Sequence, residues 1–143
     1  MPWQTEFSLA RRSKGCHLVT EEIQRYIDKG LQQTKIGVLF LFLQHTSAAL
    51  TINENYDPDV RKDMSDALDR IVPEGANWRH VDEGPDDSTS HVKTTLVGNC
   101  IQIPITDHRL NLGTWQESAP SGIYLTEFRN VPHSRHVVAT ILP

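Results

Sequence analysis

Several marks of common protein classes are missing from this chain. Only two of its 143 residues are cysteines, Cys16 and Cys100, far apart and in no metal-type pair. They read as reduced, structural thiols of a cytosolic protein. Neither has a neighbour that would activate it as a nucleophile. Cys100, within Asn99-Cys100-Ile101-Gln102-Ile103, reads as a small buried hydrophobe of a strand. There is no block of like charge: 18 acidic residues stand against 14 basic ones, so a basic nucleic-acid footprint is excluded. The longest apolar run, residues 38–43, is far too short to span a membrane. The opening Met-Pro-Trp-Gln-Thr-Glu-Phe has no basic region followed by an apolar one, and no signal peptide is expected there. Neither nucleic acid nor membrane is an expected partner. The phosphate-cradling glycine loops and the Gly-x-Ser-x-Gly nucleophile elbow are absent too, as are internal repeats.

What is present centres on residues 78–91, from Trp78 to His91. This stretch holds two histidines, four carboxylates, Gly84-Pro85 and a hydroxyl cluster, with Val81 as its single aliphatic side chain. A segment so poor in core-forming residues is not held by burying itself. It is either a solvated acidic loop or a segment ordered by a cation or polar ligand.

The rest of the chain reads as one domain of alternating elements, long enough to bury about two-thirds of its unfolded surface. Residues 3–9 alternate, with Trp3, Thr5, Phe7 and Leu9 on one face, which predicts a half-buried strand. A turn at 11–15 leads to a short strand at 16–19. Thr20 is the expected cap of a helix with Glu21 and Glu22 in its first turn, Ile23, Tyr26, Ile27 and Leu31 on its buried face, and Gly30 as its stop. Residues 38–43 predict a central strand covered on both faces, running into the polar cluster 44–49 and then Leu50 to Asn55. Asp57 and Pro58 predict the cap and first position of a second helix, with Val60, Met64, Ala67, Leu68 and Ile71 as its stripe. Ser88 or Asp87 then caps a short helix over 91–96. Strands follow at 100–105, 124–129 and 136–142, with hairpin connections at 106–113 and 130–135. Pro104 confines its strand to an edge, a bulge or an interrupted pairing. Strands outnumber helices, so the expected class is α+β: a β-sandwich-like mixed or antiparallel sheet core with two to three helices, not a doubly wound parallel sheet.

Three histidines lie in polar, turn-rich settings. His45 ends the apolar strand, and His80 and His91 flank the acidic loop. Three imidazoles with an open position suit a catalytic zinc; added carboxylates would also suit manganese or iron. No helical His-x-x-x-His register enforces this, and each ring alone is as well explained by a local hydrogen bond. His17, His108, His133 and His136 read as surface residues. Adjacent Asp86 and Asp87 repel, which a cation or a histidinium relieves; a turn and helix cap would also account for them. Thr46, Ser47, Thr51 and Ser88 to Ser90 offer donors to phosphate oxygens, with Arg129 and Arg109 as added charge. Glu127 and Arg129 share one strand parity, as a buried pair, an oligomer contact or a substrate clamp.

Taken in order, His45-Thr46-Ser47-Ala48, Thr51-Ile52-Asn53-Glu54-Asn55, Asp57-Pro58, His80-Val81-Asp82-Glu83-Gly84-Pro85-Asp86-Asp87, Ile103-Pro104-Ile105-Thr106 and Gly113-Thr114-Trp115-Gln116 resemble the YjbQ-type family of secondary thiamine-phosphate synthases. The resemblance covers nearly the whole chain. It implies a YjbQ-like fold assembled as a homotrimer, with weak thiamine-phosphate synthase activity. That reaction joins hydroxymethylpyrimidine pyrophosphate to thiazole phosphate and releases pyrophosphate. The resemblance carries His45, His80, His91, Asp86 and Asp87 into the pocket, with Asn53 and Glu54 beside them. The expected division of labour makes His45, His80 and His91 ligands of a divalent metal, zinc first and magnesium or manganese next. His45, Glu83, Asp86 and Asp87 handle protons and charge, while Thr46, Ser47, Asn53, Glu54, Gln116 and Arg129 bind substrate. The family runs from Thr-Trp-Gln directly into Gly-Ile-Tyr-Leu, whereas residues 117–121 intervene here and read as a lengthened hairpin loop. The alternatives are a non-catalytic small-ligand or metal-binding module and a metal-dependent hydrolase of phosphate esters.

Overall fold

The computed structural model describes the backbone of residues 1–115 and 119–143 and the side chains of 1–113 and 121–143. Nine strands and three helices follow one another in it. They are β1 (Trp3–Ser8), β2 (Gly15–Leu18), α1 (Thr20–Gln32), β3 (Ile36–Leu43), β4 (Ala48–Glu54), α2 (Pro58–Ile71), α3 (Asp87–Val97), β5 (Cys100–Thr106), β6 (Arg109–Leu110), β7 (Thr114–Trp115), β8 (Ala119–Glu127) and β9 (His136–Leu142). One sheet has the order β1-β9-β3-β5-β6 and the other β2-β8-β4, with β7 attached to β8. Every described strand pair is antiparallel. The α+β expectation holds, with the antiparallel alternative realised. No described helix is long and apolar enough to cross a membrane.

The core forms where the two sheets and α1 meet. Leu39, Leu41 and Leu43 of β3, Ile103 and Ile105 of β5, and Val137, Ala139 and Ile141 of β9 point inward from the first sheet. Leu50, Ile123 and Leu125 answer them from the second, and Ile23, Ile27 and Leu31 close the gap from α1. Burying each such leucine, isoleucine or valine contributes about 1.5–3 kcal/mol.

Four expectations change. β3 is covered on one face only: Ile36 and Phe42 of the other parity are 70 % and 44 % exposed. The strand buried on both faces is β8, where residues 122–127 are all buried, because α2 packs on β2 and α3 on β4 to either side. Cys100 faces solvent and is not a buried hydrophobe, since it lies on the outer parity of β5. Residues 130–135 are not a hairpin loop; they carry the chain from β8 in one sheet to β9 in the other. The third helix begins at Asp87 and not at His91.

Smaller corrections concern the first helix. Thr20 is its first residue, following Val19 as N-cap, and the Thr20 hydroxyl instead accepts a hydrogen bond from the Ile123 amide at 2.8 Å. Tyr26 is half exposed and stacks on Phe7 with ring centroids 4.3 Å apart. Gly30 does not stop the helix; it lies inside it, where a Cβ would come within 2.5 Å of Trp3 and 2.8 Å of Ile141. The second helix keeps its expected start, although Ile71 of its stripe is 66 % exposed, and the strand expected at 124–129 runs from Ala119 to Glu127. Asp57 caps α2, accepting from the Asp59 amide, with Pro58 first in the helix. The β5–β6 connection is a two-residue turn whose Asp107 and His108 both have positive φ, the geometry that fits strand twist.

Close packing at Gly30 makes a prediction. Gly30→Ala raises helix propensity but forces Trp3 aside, and we expect a net loss of about 1–3 kcal/mol by chemical denaturation. A more stable variant would contradict this packing.

Candidate metal centre

The helix α3 has a polar buried face. Asp87, Thr89, Ser90, Lys93 and Thr94 are its buried residues, and Thr94 donates from its hydroxyl to the Ala48 carbonyl at 3.2 Å. This seats the C-terminal half of α3 against the start of β4. Asp87 and His91 are four residues apart and therefore share a helix face. The loop before α3 turns back through Gly84, at φ +111°, and brings His80 to the same place. The rings of His80 and His91 lie 5.5 Å apart, centroid to centroid.

Between the two rings stands the Asp87 carboxylate, 1 % exposed. Its Oδ1 accepts from Arg129 Nη1 at 2.6 Å and lies 3.3 Å from His91 Nε2. Its Oδ2 is 2.6 Å from His80 Nε2, yet is buried without a hydrogen-bond partner, because that nitrogen is near but not placed to donate. His91 Nδ1 meets the Thr46 carbonyl at 2.7 Å. A carbonyl only accepts, so Nδ1 carries the proton and, in the neutral ring, Nε2 turns a lone pair toward the carboxylate. Lone pairs so arranged repel unless a proton or a metal ion stands between them. One ligand atom from each of His80, Asp87 and His91 can be chosen with all three within 4.8 Å of one another. A two-histidine, one-carboxylate donor set fits zinc or iron(II), and a ring tied through Nδ1 to a backbone carbonyl is the usual posture of a histidine ligand.

Charge points the same way. Arg129 is fully engaged: Nε donates to Asp86 Oδ2 at 3.2 Å, Nη1 to Asp87, and Nη2 to the Glu83 carbonyl at 2.9 Å. One guanidinium against two carboxylates leaves a negative charge beside the imidazoles. Burial pushes the Asp86 carboxyl up, but the Asn130 amide and the Arg129 guanidinium outweigh it and hold the group below its usual value.

The structure thus gathers part of the expected site. His80, His91, Asp86, Asp87 and Arg129 come together. His45 does not join the ligand group; its Nε2 accepts from the His136 amide at 2.8 Å, so Asp87 takes the third place expected for an imidazole. Arg129 is committed to the two aspartates and is not free to clamp substrate. Its parity partner Glu127 pairs instead with Arg135. Glu83 is exposed at the loop surface. Thr46 lines an open cleft of about 670 Å³ with His80, Ser88, His91, Thr94, Thr95 and Asn99, while Ser47 is buried behind it. Asn53 and Glu54 lie at the far end of β4, roughly 20 Å from its start, where Asn53 Nδ2 meets Met64 Sδ and Glu54 accepts from the Asp57 amide. Gln116, with Glu117 and Ser118 of the intervening segment, lies outside the described residues. Of that segment's remainder, Ala119 and Ser121 belong to β8.

A model of the family described as UPF0047 protein YjbQ-like matches residues 5–143. The chain belongs to the YjbQ-like UPF0047 family. The UPF0047 protein YjbQ of Escherichia coli O157:H7 is 43 % identical to this YjbQ-like chain over 141 residues, covering 99 % of it and 98 % of the relative. A UPF0047 protein of Synechocystis is 38 % identical over 134 residues, covering 93 % and 86 %. Among solved structures, a yjbq/upf0047 family protein of Clostridium acetobutylicum superposes with a TM-score of 0.75 at 32 % identity, covering 99 % of each chain. A YbjQ-like protein of unknown function from Sulfolobus solfataricus reaches a TM-score of 0.82 at 19 % identity, covering 99 % and 96 %, a likeness of fold alone.

Two features of this YjbQ-like chain escape sequence reasoning. Lys93 is 2 % exposed and pairs with Asp69 at 2.5 Å, which Lys14 also reaches. Glu127 and Arg135 form a second buried pair. Nothing in periodicity marks either, since each pair joins different elements.

Acid should destabilise the fold in two stages. Burial, then the nearby Arg135, lowers the His45 pKa below 6.5, so the fold favours its neutral ring. That contribution is complete above 6.5 and is lost as pH falls through the folded value. Asp86 and Asp69 are held below 3.8, so theirs are complete above 3.8 and fail as pH falls below it. We expect thermal midpoints to fall first below 6.5 and again below 3.8, with His45→Ala removing the upper stage. A single transition unaffected by His45→Ala would contradict it.

Proposed function

We propose that the YjbQ-like chain holds one divalent cation, zinc first, on His80, Asp87 and His91, and that this centre serves transfer chemistry on a pyrophosphorylated small molecule. The specific reaction we propose is the thiamine-phosphate synthase reaction, the joining of hydroxymethylpyrimidine pyrophosphate to thiazole phosphate with release of pyrophosphate. The observation that carries the metal reading is the buried Asp87 Oδ2, without a hydrogen-bond partner beside two imidazole nitrogens. The resemblance of the ordered motifs supports the choice of reaction. A bound divalent cation would supply Lewis-acid neutralisation of the departing pyrophosphate.

The chain's own residues do the rest. Arg129 holds Asp87 through Oδ1 and leaves Oδ2 facing His80. Thr46 and Ser88 present hydroxyls along the cleft for phosphate oxygens, while those of Thr94 and Thr95 are spent on the Ala48 and His91 carbonyls. Of the expected proton carriers, Glu83 is exposed on the loop before α3, whereas His45 Nε2 is already taken by the His136 amide. The apolar outer parity of β3, with Ile36 and Phe42 exposed, is where we place the contact between copies of a homotrimer.

One observation favours a second reading, a metal- or ligand-binding module without turnover. Among the described residues, the side chains lining the cleft include no lysine or arginine, whereas tight pyrophosphate binding usually recruits such cations.

Metal content and pyrophosphate release, measured together, test both. We expect about one zinc per chain and turnover dependent on it, with His91→Ala and Asp87→Asn lowering zinc affinity by roughly 100-fold or more, beyond the effect of outer partners. Unchanged metal content and turnover in those variants would remove the reading. Stoichiometric zinc without turnover would leave the binding module. Light scattering of Phe42→Glu is expected to show loss of the trimer; a variant of unchanged mass would place the contact elsewhere.

A further inference from the structure

Under the metal centre lies a salt bridge that no expectation from sequence included. Arg135 Nε donates to Glu127 Oε1 at 2.6 Å and Nη2 to Oε2 at 2.5 Å, with the two side chains 2 % and 0 % exposed. Such a pair adds little net stability, because desolvating two charges costs about what their attraction returns. What it supplies is direction. A guanidinium fork and a carboxylate meet in one geometry, and each has further bonds to give.

Those further bonds go to the two supports of the site. Glu127 Oε2 accepts from the amides of Phe128 and Arg129, at 3.0 and 3.3 Å. This fixes the backbone from which the Arg129 side chain reaches Asp87. Arg135 Nη2 donates to the Ser47 carbonyl at 3.2 Å, across 88 residues of sequence. Ser47 adjoins Thr46, whose carbonyl holds His91 Nδ1. The next residue after Arg135 donates its amide to His45, on the other side of Thr46. One buried pair therefore anchors the backbone behind the carboxylate and the backbone behind the imidazole.

We infer that Glu127 and Arg135 are positioning residues of the His80–Asp87–His91 centre, setting the aim of Asp87 through Arg129 and of His91 through Thr46 without touching the cation. The inference rests on the metal reading proposed above. It predicts that replacing the pair loosens both ligands while leaving the fold intact.

The test uses the full chain as Glu127→Gln/Arg135→Met, which leaves no unpaired buried charge, with cobalt(II) as the spectroscopic probe. Wild type is expected to give a ligand-field spectrum of a low-symmetry site. The double variant is expected to unfold cooperatively yet bind cobalt 10- to 100-fold more weakly, with a broadened spectrum, the range found when outer partners of metal ligands are lost. Imidazole nitrogen NMR of the metal-free proteins reads the same device without a metal: wild type keeps the His91 proton on Nδ1, and the variant mixes both tautomers. Should the double variant fail to fold, Arg135→Lys, which keeps the charge but not the fork, is expected to show the same losses at smaller size. A folded variant with wild-type cobalt affinity and an unchanged His91 tautomer would overturn the inference. Absence of cobalt binding by wild type would instead remove the metal reading, and the tautomer comparison would still decide the positioning role.

Discussion

The arrangement depends on a carboxylate that the protein buries but does not fully satisfy. Asp87 is held through one oxygen by Arg129, and its other oxygen lies 2.6 Å from His80 Nε2 without a hydrogen bond. Burying an ionised group without partners costs several kcal/mol, so such an atom persists only where something else meets it. Arg129, bound to Asp86, Asp87 and the Glu83 carbonyl, sets which oxygen is spent and which is kept.

The fold explains how residues so distant arrive at one place. The start of β4, the first turn of α3 and the segment after β8 converge at one end of the smaller sheet. β4 and β8 pair directly, Ala48 opposite Glu127. Helix α3 docks on β4 through the Thr94 hydroxyl, with buried Lys93 turned to Asp69 of α2, rather than through an apolar stripe. The doubly covered β8 carries Glu127, Arg135 follows on the segment leading to β9, and the candidate ligands sit on a helix turn and the loop before it.

How far this was legible follows from what kind of signal each element leaves. Alternation revealed β1, and the Asp57-Pro58 signature revealed α2, because their chemistry is local. The start of α3 was hidden since its buried face is Thr89, Ser90, Lys93 and Thr94, which no hydrophobic period registers. β3 misled in the other direction: its continuous apolar run reads as burial on both faces, yet half of it is surface. Within the site, His80, His91, Asp86 and Asp87 stood out in a stretch lacking core residues. That Asp87, and not His45, stands beside His80 and His91 was not readable, because it turns on a backbone amide 91 residues away claiming the His45 ring. Arg129's true partners were hidden likewise, over 40 residues back along the chain.

The most direct measurement is anomalous diffraction at the zinc edge from crystals of chelator-stripped protein soaked in zinc. The account predicts one strong peak per chain, about 2.0–2.2 Å from His80 Nε2, Asp87 Oδ2 and His91 Nε2, with His91 Nδ1 still on the Thr46 carbonyl. A peak elsewhere, or none while His80 donates a straight hydrogen bond to Asp87, would contradict it.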